Sequence, residues 1–308
     1  MHAARRISAS LVCLALGFGH AAAKTLEVGP DAAFKKPSDA IAAAANGDTV
    51  AIAPGQYFDC AIVRQSALTI QGTGPGVVLT DRTCAGKALL VVAGRSIVVR
   101  DLTLQRARVP DGNGAGIRYE GGNLTVERVQ FLNNENGILG GDARDGTVRI
   151  VDSVFQQNGR CARACAHGAY LGHVKLVRIE RSRFLETRQG HHVKSRALRT
   201  EVIDCDIADG PNGTSSYLIE IPNGGSLLVR GSRLEKGPMT ENAATAISIG
   251  AEGVQQPTEQ ILIEGSTFTN DQSRPTIFVR NITATPADLR GNVFKGQVRP
   301  FEGDGALR

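Results

Sequence analysis

Short runs in which apolar and polar residues alternate recur from residue 25 almost to the end of the chain. The plainest are 124–131, 148–155, 177–184 and 201–207, each ending on Phe or an aliphatic, with later copies ending at Leu234, Phe268 and Phe294. Alternation of this kind puts one face of a strand inward and the other outward. The landmark positions 131, 155, 184, 207, 234, 268 and 294 are separated by 24, 29, 23, 27, 34 and 26 residues. A period in the twenties without helical patterning makes each repeat one coil of a β-solenoid. Leucine-rich repeats share the period, but their Leu-x-x-Leu-x-Leu spacing is missing. A β-sandwich would not keep one residue class in step through seven copies. The pattern therefore predicts an all-β chain with a single parallel β-helix over 24–308.

A second strand series precedes these runs: 116–119, 137–139, 168–171, 191–194, 217–221, 246–249 and 277–280. One helix is expected, over 37–45, with Pro37 near its start, Ser38 or Asp39 as cap and Asn46-Gly47 as its stop. Placed at the start of a β chain, it is expected to act as an N-terminal cap, because an uncovered end coil exposes both core and strand edge. Within the repeat, Cys205 occupies the slot held by Ser153, Ser182, Ser232 and Ser266, a small internal stacking position. Asn134, Asn158 and Asn270 fall at turns, where Asn tolerates unusual backbone angles.

Residues 1–23 read as a secretory signal peptide. Arg5 and Arg6 precede an apolar run from Ile7 to Gly19, and Ala21-Ala22-Ala23 offers cleavage after Ala23. The run is too short for a stable membrane anchor, so a periplasmic or secreted product with no membrane span is expected. Loss of the two arginines takes the formal charge from +5 to +3, which tolerates an anionic polymer but is not a nucleic-acid footprint. Five cysteines remain after Cys13 leaves. Cys60–Cys84 and Cys161–Cys165 are the expected disulfides in an oxidising compartment, with Cys205 free.

The four histidines of the mature chain, His167, His173, His191 and His192, all lie between Ala166 and Val193, just ahead of Lys194 and Arg196. With the aliphatics of the second strand series inward, Tyr170, then His192 and Lys194, then Leu218 and Glu220 form an outward row on successive coils. Neighbouring strands lie about 4.8 Å apart, so these side chains can converge. Lys194, beside His192 and Arg196, is expected to be pushed toward its neutral form and so toward a base. Arg196 would neutralise a carboxylate, Tyr170 would hand over a proton, Glu220 would orient Lys194 or His192 or act as acid or metal ligand, and His167 stands at the head of the strand before. His191 and His192 exchange places if the strand bulges. Base, carboxylate neutraliser and acid together are what proton abstraction beside a uronate carboxylate requires. The outcome is cleavage (a lyase) or inversion (a C5-epimerase).

The Gly-Asp-Thr-Val-x-Ile-x-Pro-Gly-x-Tyr segment at 47–57, with the repeats after it, resembles the pectin-lyase-like superfamily of right-handed parallel β-helix proteins over residues 25–296. The resemblance implies a right-handed coil and a carbohydrate-active chain that is a lyase, epimerase, hydrolase or non-catalytic surface protein. The clustered aspartates of calcium-dependent pectate lyases and the Asn-x-Asp pattern of polygalacturonases are absent. A Lys with an Arg is similar to the base and neutraliser of alginate and chondroitin lyases of this fold. A hydrolase would need two carboxylates at catalytic separation; Glu220 is one, while Asp204 and Asp206 fall on another face. A glycan-binding or envelope-structural solenoid would need exposed aromatics, for which Tyr119, Tyr170 and Phe278 are the candidates. An acidic polysaccharide is the expected partner of a monomeric protein. No cofactor is called for, and Ca2+ bridging a substrate carboxylate has no diagnostic oxygen cluster.

Overall fold

The computed structural model describes residues 22–308; the leader expected over 1–23 lies outside them except for Ala22 and Ala23. Three parallel sheets form the walls of one solenoid. Sheet A has 12 strands, running from Thr25–Val28 to Gly305–Leu307, and sheets B and C have 10 each. Sheet B runs from Gly55–Tyr57 to Val293–Lys295, and sheet C from Ala61–Val63 to Val298–Gly303. Successive strands of a sheet come one coil apart in the chain, so the pairing is parallel throughout.

The repeat read from sequence is the structural register. Phe131, Phe155, Phe184, Ile207, Leu234, Phe268 and Phe294 pair one above the next along sheet B. The rings of Phe131, Phe155 and Phe184 stack at centroid separations of 4.4 and 4.3 Å, a little closer than the roughly 4.5–7 Å usual for aromatic pairs. Sheet C faces this column with Ile117, Ile138, Ala169, Val193, Ile219, Ile247 and Val279, again in register. These apolar ladders make one continuous core.

The corners explain several polar residues. Between sheets A and B each coil turns through one residue at positive φ: Asp101, Arg128, Asp152, Arg181 and Asp204, then Gly231, Gly265 and Gly291. The serine ladder lies just beyond. Ser153 N–H donates to Ser182 Oγ at 3.1 Å, Cys205 N–H to Ser232 Oγ at 3.1 Å, and Ser232 N–H to Ser266 Oγ at 3.1 Å. Cys205 is buried and free, and both expected disulfides are present.

At the B–C corner the positive-φ residues are Arg106, Asn133, Gln157 and Glu186. Asn134 and Asn158 therefore owe their places to hydrogen bonding, not to unusual backbone angles. Asn134 Nδ2 donates to the Leu104 carbonyl at 2.9 Å and Asn158 Nδ2 to that of Phe131 at 2.8 Å. The same interior slot continues as Thr187, Asp209 and Lys236, all buried.

The helix spans Pro37–Ala43, shorter than expected, with Pro37 in its first turn and Lys36 at the N-cap without a side-chain cap. Asp59 Oδ2 accepts from the Ser38 N–H at 2.7 Å. Ala40 and Ile41 are buried against the first strands of sheets A and C.

Candidate active site

The second strand series is sheet C, and its outward row is now explicit. Leu139, Tyr170, Lys194, Glu220, Ser248 and Arg280 pair in sequence. Tyr170, Lys194 and Glu220 are thus neighbours because they occupy one register position on three consecutive coils. Two loops rise beside them. One is the hairpin of Arg160–Cys161 and Cys165–Ala166, closed by the Cys161–Cys165 disulfide. The other follows Gly250 and carries Glu252. Between the hairpin and the row lies a pocket of about 420 Å³ lined by His167, Tyr170, His191, Lys194, Ser216 and Glu241, among others.

Lys194 is the centre of the charge network. Its Nζ lies 2.8 Å from Glu220 Oε2 and 2.7 Å from Glu252 Oε1, with the Tyr170 ring centroid at 5.6 Å. Burial alone would push its pKa down, but the two carboxylates outweigh burial and raise it. Lys194 is therefore held as a cation. The neutral form expected from its cationic neighbours is corrected: the sequence placed Arg196 and the histidines beside it and hid Glu252, which sits 58 residues away.

Arg196 completes the cationic side. Its Nε donates to the Tyr170 hydroxyl at 2.8 Å, one terminal nitrogen donates to Asn223 Oδ1, and the other to Glu252. Glu252 consequently bridges Lys194 and Arg196 from a side chain that is 42% exposed.

Glu220 is buried at 4% exposure. His191 Nε2 and Lys194 Nζ approach its Oε2 at 3.0 and 2.8 Å, off the hydrogen-bonding direction. Burial raises its pKa, but these two neighbours outweigh that and hold it low.

The histidines divide by their backbone partners. The Tyr217 N–H donates to His191 Nδ1 at 3.2 Å, and the His191 N–H donates to His167 Nδ1 at 3.0 Å. A neutral ring in either place then carries its proton on Nε2. His167 stacks on His191 at 4.7 Å and meets Tyr170 edge-on at 5.3 Å. Its pKa is driven well below the ordinary value by burial, then by His191, Lys194 and Arg196.

His192 does not belong to the row. The strand begins at Val193, so the alternation counted back from Lys194 stops short of His192, whose side chain turns inward and is fully buried. Its Nδ1 meets Thr187 Oγ1 at 2.8 Å and its Nε2 meets Asp209 Oδ1 at 2.9 Å, completing the polar ladder at the B–C corner. Leu218, also expected outward, is buried, as are Tyr119 and Phe278; of the three aromatics, only Tyr170 is partly open. His173 pairs with Asp142 at 3.0 Å, away from the row.

The structure thus brings together Tyr170, Lys194, Arg196, Glu220, His191 and His167, and adds Glu252, Asn223, Glu241 and Tyr217. A signal for Glu241 and Glu252 existed in the spacing. The 34-residue interval between landmarks 234 and 268 is the longest in the repeat, and its surplus forms the loops that carry Glu241 and Glu252.

No group of three or more His, Cys, Asp or Glu side chains poised around a metal ion occurs among the described residues. Calcium takes six to eight oxygens, whereas the carboxylates here face Lys194, Arg196 and His191. The donor set does not fit Ca2+.

No protein-family model matches the sequence, and no curated protein does. Solved structures do. An alginate lyase from Paenibacillus sp. str. FPU-7 superposes with a TM-score of 0.62 at 16% identity, covering 92% of this chain and 99% of that one. The ORF18 protein of Geobacillus virus E2 gives a TM-score of 0.57 at 13% identity, over 87% of this chain and 56% of that one. The chain therefore spans little more than half of the viral protein. At these identities the likeness is one of fold. The chain shares with the alginate lyase a right-handed parallel β-helix fold.

Proposed function

We propose that this protein is an exported enzyme that acts on an acidic polysaccharide by removing the proton beside a uronate carboxylate, as a lyase or C5-epimerase. The observation that carries the reading is the bridge made by Glu252. A carboxylate already sits between Lys194 and Arg196, on a side chain 42% exposed to solvent, so the pair has the geometry to hold a substrate carboxylate in its place. Abstraction of the adjacent proton pushes charge onto that carboxylate, and two fixed cations stabilise it.

Lys194, held charged by Glu220, neutralises and does not take the proton. Tyr170 is the proton-transferring group in this reading. Its oxygen accepts from Arg196 Nε, so the residue that neutralises the substrate also fixes the position of the phenol. His191 and Glu220 position Lys194, and His167, neutral and buried, supplies an uncharged wall next to Tyr170. The fold shared with an alginate lyase supports the substrate class. Two disulfides fit an oxidising compartment, and no described helix is long and apolar enough to cross a membrane.

The test is incubation of the mature protein with a panel of uronate polymers. It follows ultraviolet absorbance of the unsaturated product and NMR of the C5 configuration. Either signal, removed by Tyr170→Phe in a folded protein, fits the proposal. Reducing ends without an unsaturated product would identify a hydrolase, and no change in any polymer would leave a binding module.

A further inference from the structure

Most arginines along the A–B corner are neutralised by the coil next door. Arg128 pairs with Asp101 at 2.6 Å, Arg181 with Asp152 at 2.8 Å, and Arg233 with Asp206 at 2.6 Å. At the B–C corner Arg106 pairs with Asp81 in the same way, at 2.6 Å, but two other arginines differ. Arg108 donates to the Asn133 amide oxygen at 2.8 Å and to the Ala107 carbonyl at 2.9 Å; Arg188 donates to Asn133 and Gln157 oxygens, both at 3.0 Å. Neither makes an ion pair among the described residues. Together with Arg160 they line a pocket of about 550 Å³ that runs across successive coils.

The acid in that pocket is already engaged. Glu135 is 1% exposed, and its Oε2 accepts the Val109 and Gly114 N–H groups at 3.0 and 2.7 Å, while its Oε1 meets Arg160 at 3.2 Å. Arg108 feels the crowding: burial lowers its pKa, Glu135 opposes this, and Arg160 and Arg188 lower it further. Three guanidiniums facing one trough with a single committed carboxylate leave positive charge that an incoming anion would relieve. The trough lies next to the pocket at Lys194. Gln189 lines one and Gly190 the other, with the disulfide hairpin between them.

We propose that Arg108, Arg160 and Arg188 form a second, non-catalytic subsite that grips the carboxylates of a polyuronate chain several sugars away from the Lys194 pocket. The polymer class rests on the function proposed above; the existence of the subsite does not depend on any reaction. Because guanidinium forks match carboxylates and the coils repeat at about 4.8 Å, the trough favours a long carboxylated chain over a single anion.

Binding of fluorescent polymannuronate and polygalacturonate to the mature protein, each as a long and a short chain, tests this by anisotropy at several salt concentrations. The variant Arg108→Gln/Arg188→Gln is compared with Arg128→Gln/Arg181→Gln, which removes equal charge from the A–B corner; thermal melts confirm that both fold. The expected result is a roughly tenfold loss of affinity for the long chain in the first variant, from two partly exposed ionic contacts. Its ratio of long-chain to short-chain affinity should fall towards one, its salt dependence should be shallower, and the control should stay near wild type. Equal losses in both variants, no loss in the first, or no binding of either polymer to the wild-type protein would each overturn the proposal. So would single-stranded DNA binding as tightly as the polyuronates with the same arginine dependence. Binding without turnover would sink the proposed reaction and leave the subsite standing; turnover with unaltered binding in the first variant would do the reverse.

Discussion

Replacing Lys194 with Met separates the electrostatic role of this residue from its structural one. In the wild-type protein Glu220 is 4% exposed and has Lys194 at 2.8 Å and His191 at 3.0 Å. Removing one partner of a buried pair costs about 3–5 kcal/mol, because the remaining charge is left without compensation. His191 still faces Glu220, so the expected loss is at the lower end, about 3 kcal/mol. The double variant Lys194→Met/Glu220→Gln removes both charges and should recover most of that stability. Turnover should behave otherwise. Loss of one fixed cation at the developing charge costs about 10²–10³ in kcat by analogy with oxyanion donors, and the double variant should remain as slow as the single one. Urea unfolding and uronate turnover on the same three proteins provide the check. A Lys194→Met protein with near wild-type turnover would refute the neutraliser role. A double variant no more stable than the single one would refute the account of Glu220.

Three other perturbations report on different parts of the molecule. Glu252→Gln removes the carboxylate that a substrate must displace from Lys194 and Arg196; since Glu252 is 42% exposed the pair is screened, and KM should fall by up to about fivefold with a smaller change in kcat. Lys236 is fully buried and its pKa is lowered by burial to about 8. Its unfolded value is near 10.5, so between these limits the unfolded chain binds a proton that the native one has released, and stability rises with pH. Unfolding free energy of wild type relative to Lys236→Met should therefore climb by about 3 kcal/mol from neutral pH to above pH 10, and a flat difference would mean that the native fold does not lower the pKa of Lys236. Cys60→Ser/Cys84→Ser opens a link across 24 residues and should cost about 3 kcal/mol by loop entropy, measured by urea unfolding.

The coil architecture was legible because the repeat is enforced by the core. A landmark such as Phe155 must stack on Phe131 and Phe184, so its spacing survives in the sequence whatever the loops between do. The outward row was legible for the same reason, as far as strand alternation extends. Tyr170, Lys194 and Glu220 were placed correctly because Ala169, Val193 and Ile219 beside them are inward in register. His192 was not, because it lies one residue before its strand, where hydrogen bonds to Thr187 and Asp209 decide the side chain's direction and periodicity says nothing. Glu252 was missed for another reason: the long interval between landmarks 234 and 268 marks its loop, but no repeat fixes where that loop's side chains go.

These two omissions changed the chemistry assigned to Lys194. With His192 and Arg196 as its neighbours, the lysine read as a base made neutral by repulsion. In the structure His192 has withdrawn into the ladder beneath, and two carboxylates take its place around the ammonium. The sign of the effect on Lys194 reverses, and with it the residue's role. A cation held by buried Glu220 and shared with exposed Glu252 is one whose inner partner fixes it and whose outer partner can be exchanged. Under the proposed function that asymmetry, 5% against 42% side-chain exposure, would let an incoming carboxylate replace Glu252 while Glu220 stays in place.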